Sequence, residues 1–238
     1  MSVDAVLRVV LSLIALFMAI VLHEVAHGLV AARLGDPTAR AKGRLSINPL
    51  AHVDPVGTLL VPIALAIFNW LTPGAMLPLI GWAKPVPVNP NYFRNPFRGM
   101  LFVAAAGPGT NLALAGAAAG LGRLLLPTVP NEVLFSSLGF SGYAARAFFF
   151  VLGVFITYNL ILAVFNLIPI PPLDGSRIVT YFLPPAGRRF MIAAERYGFF
   201  VLLAVVFLGG IDLVFRWVLP AAGTLLGPRW VTVINLFS

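Results

Sequence analysis

The string His23-Glu24-Val25-Ala26-His27 holds the residues best suited to chemistry. On a helix, positions i and i+4 share a face, so both imidazoles point the same way. Two histidines so placed can grip one zinc ion, and the glutamate beside the first can act on a metal-activated water. Five-residue matches of this kind arise by chance in soluble sequences, but this one lies inside a long apolar run. Ionisable groups there carry a transfer cost of a few kcal/mol each unless they are paired or face a cavity. The bland reading is a polar cluster snorkelling to the membrane interface. Short His and Glu side chains snorkel poorly beside Lys or Arg, so a metal site is the better reading.

Zinc catalysis normally uses three protein ligands and keeps one position open. The chain has no cysteine and only three histidines, so the third ligand is a carboxylate or His52. Among eight acidic residues Asp174 stands out, ending the segment Asn166-Leu-Ile-Pro-Ile-Pro-Pro-Leu-Asp-Gly175 after a strongly apolar run. Pro169, Pro171 and Pro172 break a helix there, and Gly175 allows a tight turn. Such a break can line a polar cavity within a membrane protein. Taken alone, Asp174 reads equally well as the N-cap of a new helix. His52 and Asp54 are the runner-up ligands.

These groups need elements to carry them. Of 238 residues 60% are hydrophobic and 10% charged, and the mean hydropathy is +0.96. A soluble domain carries roughly 25% charged residues, so a water-soluble globule and a disordered chain are both excluded. The expectation is an all-α polytopic membrane protein forming a single domain over 1–238, with a core at 5–198 and a C-terminal span and tail at 197–238. Apolar runs at 5–34, 55–82, 99–126, 143–168 and 197–219 predict about five transmembrane helices. The tail 220–238 reads as interfacial. Gly116, Gly120 and Gly122 read as helix-packing positions, Phe148-Phe149-Phe150 as lipid-facing bulk, and Trp70, Trp82, Trp217 and Trp230 as interfacial anchors.

The net charge of +8 does not call for nucleic acid, because the basic residues lie between apolar runs. Eleven of the 16 fall in three connectors, after the first run, before the third and between the fourth and fifth. With those connectors in the cytoplasm, the N-terminus lies outside. His23, His27 and Asp174 then arrive at similar depth towards the cytoplasmic side. The stretch 55–82 would begin and end on that side, yet 28 residues cannot make two crossings. It is expected to be a re-entrant or β-like element bent at Pro73-Gly74. Residues 43–54 and 55–82 are the candidates for a clamp that holds an unwound substrate by edge pairing.

Three ordered motifs, His23-Glu24-x-x-His27, Gly107-Pro108-x-x-Asn111 and Asn166-x-x-Pro169 with Leu173-Asp174-Gly175, resemble the site-2 proteases, which are intramembrane zinc metallopeptidases. The string Gly81-Trp-Ala-Lys-Pro-Val-Pro-Val-Asn-Pro90 is similar to the compact members that lack PDZ or CBS domains. The resemblance implies one Zn2+ per chain held by His23, His27 and Asp174, with Glu24 as general base. It further implies substrate or oxyanion contacts at Asn166, with Asn111 near the same cleft. Asn111 reads equally as a substrate or oxyanion contact and as polar packing glue.

The expected function is hydrolysis of a peptide bond in or near a transmembrane segment of a membrane-protein substrate, within a lipid bilayer, at the cell membrane. The alternative is a membrane metal-binding or transport protein without peptidase activity. A transporter would distribute polar ligands along a path, whereas here they gather at one level. Oligomeric state leaves no mark in the sequence.

Overall fold

The computed structural model describes residues 3–72, 83–135, 140–228 and 230–232. Three long helices do most of the positioning: α1 (Val3–Arg33), α4 (Pro96–Leu125) and α6 (Phe140–Asn166). Shorter helices are α2 (Thr38–Ala41), α3 (Val61–Leu71), α5 (Asn131–Phe135), α7 (Asp174–Phe182), α8 (Pro185–Glu195), α9 (Gly198–Phe207) and α10 (Gly210–Leu226). No strand occurs among the described residues, so the all-α class stands. Residues 6–33, 96–128 and 141–166 are each long and apolar enough to cross a membrane.

Local chemistry sets the helix ends. α1 stops where Gly35 takes φ 102° and the Asp36 N–H returns to Ala31 O at 3.0 Å, a left-handed glycine cap that satisfies a terminal carbonyl. α4 starts with Pro96 at its first position and Asn95 as N-cap, whose side chain accepts from the Arg98 N–H at 3.1 Å. After α6 the Pro-rich loop reverses the chain. A Cβ at Gly175 would strike the carbonyls of Leu167 and Ile168, so only glycine lets α7 begin so close to the end of α6.

α4 lies at the centre, packed against α1, α6 and α7. Ala115, Ala118, Ala119, Phe149, Ile156, Leu160, Val214 and Val218 form the buried seam between α4, α6 and α10. α1 turns Val6, Val9, Val10, Leu13 and Ile14 outward, a surface suited to lipid rather than water.

Several expectations are corrected here. The fifth apolar run is not one helix: Gly209 takes φ 83° and separates α9 from α10, and α10 continues through Pro220. Trp230 is no interfacial anchor, since it is fully buried and donates from Nε1 to Phe149 O at 3.0 Å. Phe149 and Phe150 are buried, and only Phe148 of that run is exposed. Gly122 packs against the Trp230 ring, whereas a Cβ at Gly116 or Gly120 would meet nothing within 4 Å among the described residues. The first part of the stretch 55–82 is a turn of π-helix, Pro55–Leu60, leading into α3. Its expected bend at Pro73-Gly74, like Trp82, lies outside the described residues.

Candidate metal centre

His23 and His27 sit one turn apart on α1, 5% and 8% exposed, with ring centroids 4.6 Å apart and planes at 87°. Each imidazole is oriented from behind. His27 Nδ1 donates to Val103 O at 2.6 Å, and His23 Nδ1 donates to Asn111 Oδ1 at 2.6 Å. With the proton on Nδ1, each neutral ring turns a bare Nε2 lone pair forward. Asp174, the first residue of α7, brings Oδ2 to 3.1 Å from His23 Nε2 and 3.2 Å from His27 Nε2. It is buried and does not cap α7; its position is set by the turn before the helix.

Three lone-pair donors facing one another at this spacing fit a small dication. Two ligands on a tetrahedral zinc, with bonds of about 2.0–2.1 Å, lie about 3.3 Å apart. A second observation agrees. A Cβ at Gly107 would stand 2.5 Å from His23 Nε2 and 2.5 Å from His27 Nε2, so the space in front of both nitrogens depends on glycine at 107.

Glu24 shares a cluster with the two histidines, in which one ligand atom from each lies within 4.8 Å of the others. Its Oε2 accepts the Val86 N–H at 2.8 Å. Val86 belongs to a segment without helix or strand, 83–89, that is pinned at three points. The Lys84 N–H donates to His52 O at 2.9 Å, Val86 donates to Glu24, and the Asn89 N–H donates to Asp36 Oδ2 at 2.6 Å. Burial alone would raise the Asp36 carboxyl, but hydrogen bonds from Thr38 and Asn89 bring it below the usual carboxylate range. The histidines, Glu24 and Asp174 open onto a cavity of about 780 Å³, walled by Pro85, Val86, Phe97, Met100, Met191 and Ile192 among others.

The other expected site residues divide. Asn166 lines the cavity and donates from Nδ2 to Leu162 O at 3.0 Å. Asn111 is fully buried behind His23, and its carboxamide bonds to His23 and Asn159 at 2.6 and 3.0 Å. His52 is buried in its own loop, donating from Nε2 to Ser46 O at 2.8 Å. Asp54 caps the π-turn by accepting from Val56 and Gly57. Neither runner-up joins the cluster among the described residues. The segment that hydrogen-bonds Glu24 is 83–89, next in the chain to the candidate clamp residues 43–54 and 55–82. The alternation Lys84-Pro-Val-Pro-Val88 carries the signal for that, since proline and the residue before it both disfavour helix.

The family model for Peptidase family M50 matches residues 133–208. The chain is 38% identical over 230 residues to "Putative zinc metalloprotease YwhC" of Bacillus subtilis, covering 94% of this chain and 90% of that one. It is 26% identical over 202 residues to "Putative zinc metalloprotease Rip2" of Mycolicibacterium smegmatis, covering 84% and 66%. With Rip2 of Mycobacterium tuberculosis strain Erdman, bearing the same description, identity is 29% over 218 residues, covering 91% and 69%. No solved structure matches the chain. With helices as the regular structure of its described residues and relatives described as zinc metalloproteases, this membrane protein is a zinc metallopeptidase. The chain belongs to peptidase family M50, the site-2 proteases.

Proposed function

We propose that this zinc metallopeptidase cuts a peptide bond in or near a transmembrane segment of a membrane-protein substrate. His23, His27 and Asp174 are its zinc ligands, Glu24 is its general base, and 1–238 works as one catalytic unit. The observation that carries the reading is the convergence of the two Nε2 atoms and Asp174 Oδ2 beside Glu24.

Bound zinc supplies a Lewis acid that polarises a peptide carbonyl and makes water nucleophilic near neutral pH. The protein does the rest. Val86 holds Glu24 Oε2, which fixes the carboxylate beside the two imidazoles. Glu24 takes a proton from water as its oxygen bonds to the carbonyl carbon, then delivers that proton to the departing amide nitrogen as the C–N bond breaks. Asn166 uses one N–H on Leu162 O and has a second to offer the developing oxyanion. A substrate helix hides its peptide groups in internal hydrogen bonds, so it must unwind before a carbonyl enters the cavity. The positive connectors favour a cytoplasmic site with the N-terminus outside.

The test uses full-length protein in detergent with a tagged single-span membrane protein as substrate. Glu24→Gln is expected to keep its zinc and lose about a hundred- to ten-thousandfold in cleavage rate. Asp174→Ala is expected to lose the metal. Unchanged cleavage by Glu24→Gln, or full zinc retention by Asp174→Ala, would remove the assignment.

A further inference from the structure

Asn159 has no place in the motifs, yet it sits on α6 with no solvent exposure, one contact removed from the metal centre. Its Nδ2 donates to Phe155 O at 2.8 Å. A backbone carbonyl can only accept, so this bond fixes which end of the Asn159 carboxamide is nitrogen. Oδ1 therefore faces Asn111, whose Nδ2 donates to it at 3.0 Å. Asn111 must then turn Oδ1 towards His23, where it receives Nδ1–H at 2.6 Å. The chain of donors ends with a bare Nε2 beside Asp174.

His27 reaches the same state in one step, because Val103 O accepts its Nδ1–H directly. Among the described residues no backbone carbonyl accepts from His23 Nδ1, and a carboxamide does not by itself choose a tautomer. Rotated by half a turn, Asn111 would present N–H to Nδ1 and leave the proton on Nε2, where a metal must bind. Asn159 opposes that rotation, because it would set two acceptor oxygens face to face with no hydrogen between them.

We infer that Asn159 is a positioning residue which, by orienting Asn111, selects the His23 tautomer that presents Nε2 to zinc. The inference rests on the proposal that His23 is a ligand. Second-sphere partners of this kind typically change metal affinity by about 10- to 100-fold when removed. Asn159 is too deeply buried to touch a substrate, and its effect on His23 runs through Asn111.

The experiment measures zinc affinity of the full-length protein in detergent by competition with a chromophoric chelator, and the His23 tautomer of zinc-free protein by 15N NMR. Asn159→Leu is expected to weaken zinc binding about tenfold to a hundredfold and to move His23 towards the Nε2–H form. Adding Asn111→Asp to that variant is expected to restore affinity to within about threefold, because a carboxylate accepts from His23 whichever way it turns. A residue that only filled space would lower the melting temperature without this rescue. If Asn159→Leu does not fold, Asn159→Ala deletes the same acceptor without adding bulk and carries the same expectation.

His23→Ala separates the two levels. If it loses zinc while Asn159→Leu binds as wild type, or if Asn111→Asp fails to rescue, the relay is overturned and the ligand assignment survives. If His23→Ala keeps full zinc affinity, the ligand assignment falls and the relay with it.

Discussion

Gly107 and Gly122 stand about four turns apart on the same helix, and each is required by a ring pressed against it. At Gly107 the rings are the imidazoles of His23 and His27; at Gly122 the ring is the indole of Trp230. Near Gly107 the partners are polar and directional: Val103 O, Asn111, Asn159 and Asp174. Around Gly122 they are apolar, with Phe149 meeting Trp230 edge to face at 5.8 Å. On the proposed assignment zinc gives the first arrangement its purpose, while the second serves packing. One helix thus carries both halves of the work, and the two halves can be damaged separately.

The most severe break is expected from Gly107→Ala. Its methyl group would occupy the space before both Nε2 atoms, lowering catalytic efficiency by about a hundredfold or more and depleting zinc, read by metal analysis beside a cleavage assay. Trp230→Ala tests the other end. It is expected to cost about 3–5 kcal/mol of stability, followed by thermal unfolding, with zinc stoichiometry unchanged in the folded fraction. Gly122→Ala, an overpacking change, is expected to cost about 1–3 kcal/mol with the same retention of metal. A variant at 122 or 230 that folded normally but lost zinc would erase the distinction.

Smaller changes sharpen it. Val86→Pro removes the N–H that holds Glu24 Oε2 in a segment that belongs to no helix or strand. It is expected to lower kcat about tenfold with zinc affinity intact. Asp36→Asn is expected to have the smallest effect, about 1 kcal/mol, and to depend on pH. Because the Asp36 carboxyl lies below its ordinary value in the folded chain, its contribution is present above the usual carboxylate range. That contribution disappears as pH falls through the lowered value. The wild type should therefore outlast Asp36→Asn on heating at neutral pH, with the gap closing in acid.

Helix pitch made the centre legible in the sequence. The spacing of His23 and His27 matches one turn, and the proline break before Asp174 marks where a carboxylate could enter from another element. The long helices α1, α4 and α6 also fall close to the apolar runs at 5–34, 99–126 and 143–168. Hydropathy could not show the break at Gly209, because an apolar run carries no record of backbone φ. Nor could it show that Trp230 turns inward, since an aromatic near a basic tail reads as an interface residue. Asn159 and Val86 lay deeper still. One acts through the rotation of α6 against α4 and the other through a backbone N–H, and neither has a side-chain spacing to read.

The burial of Trp230 has a practical side. Its indole bridges α4 and α6, the same two helices that carry Asn111 and Asn159. A purification tag, fluorescent fusion or truncation that dislodged this ring would cost the packing between those two helices, and so stability, without touching a single group in the cavity. Handles joined at that end therefore need a spacer long enough to leave residue 230 seated.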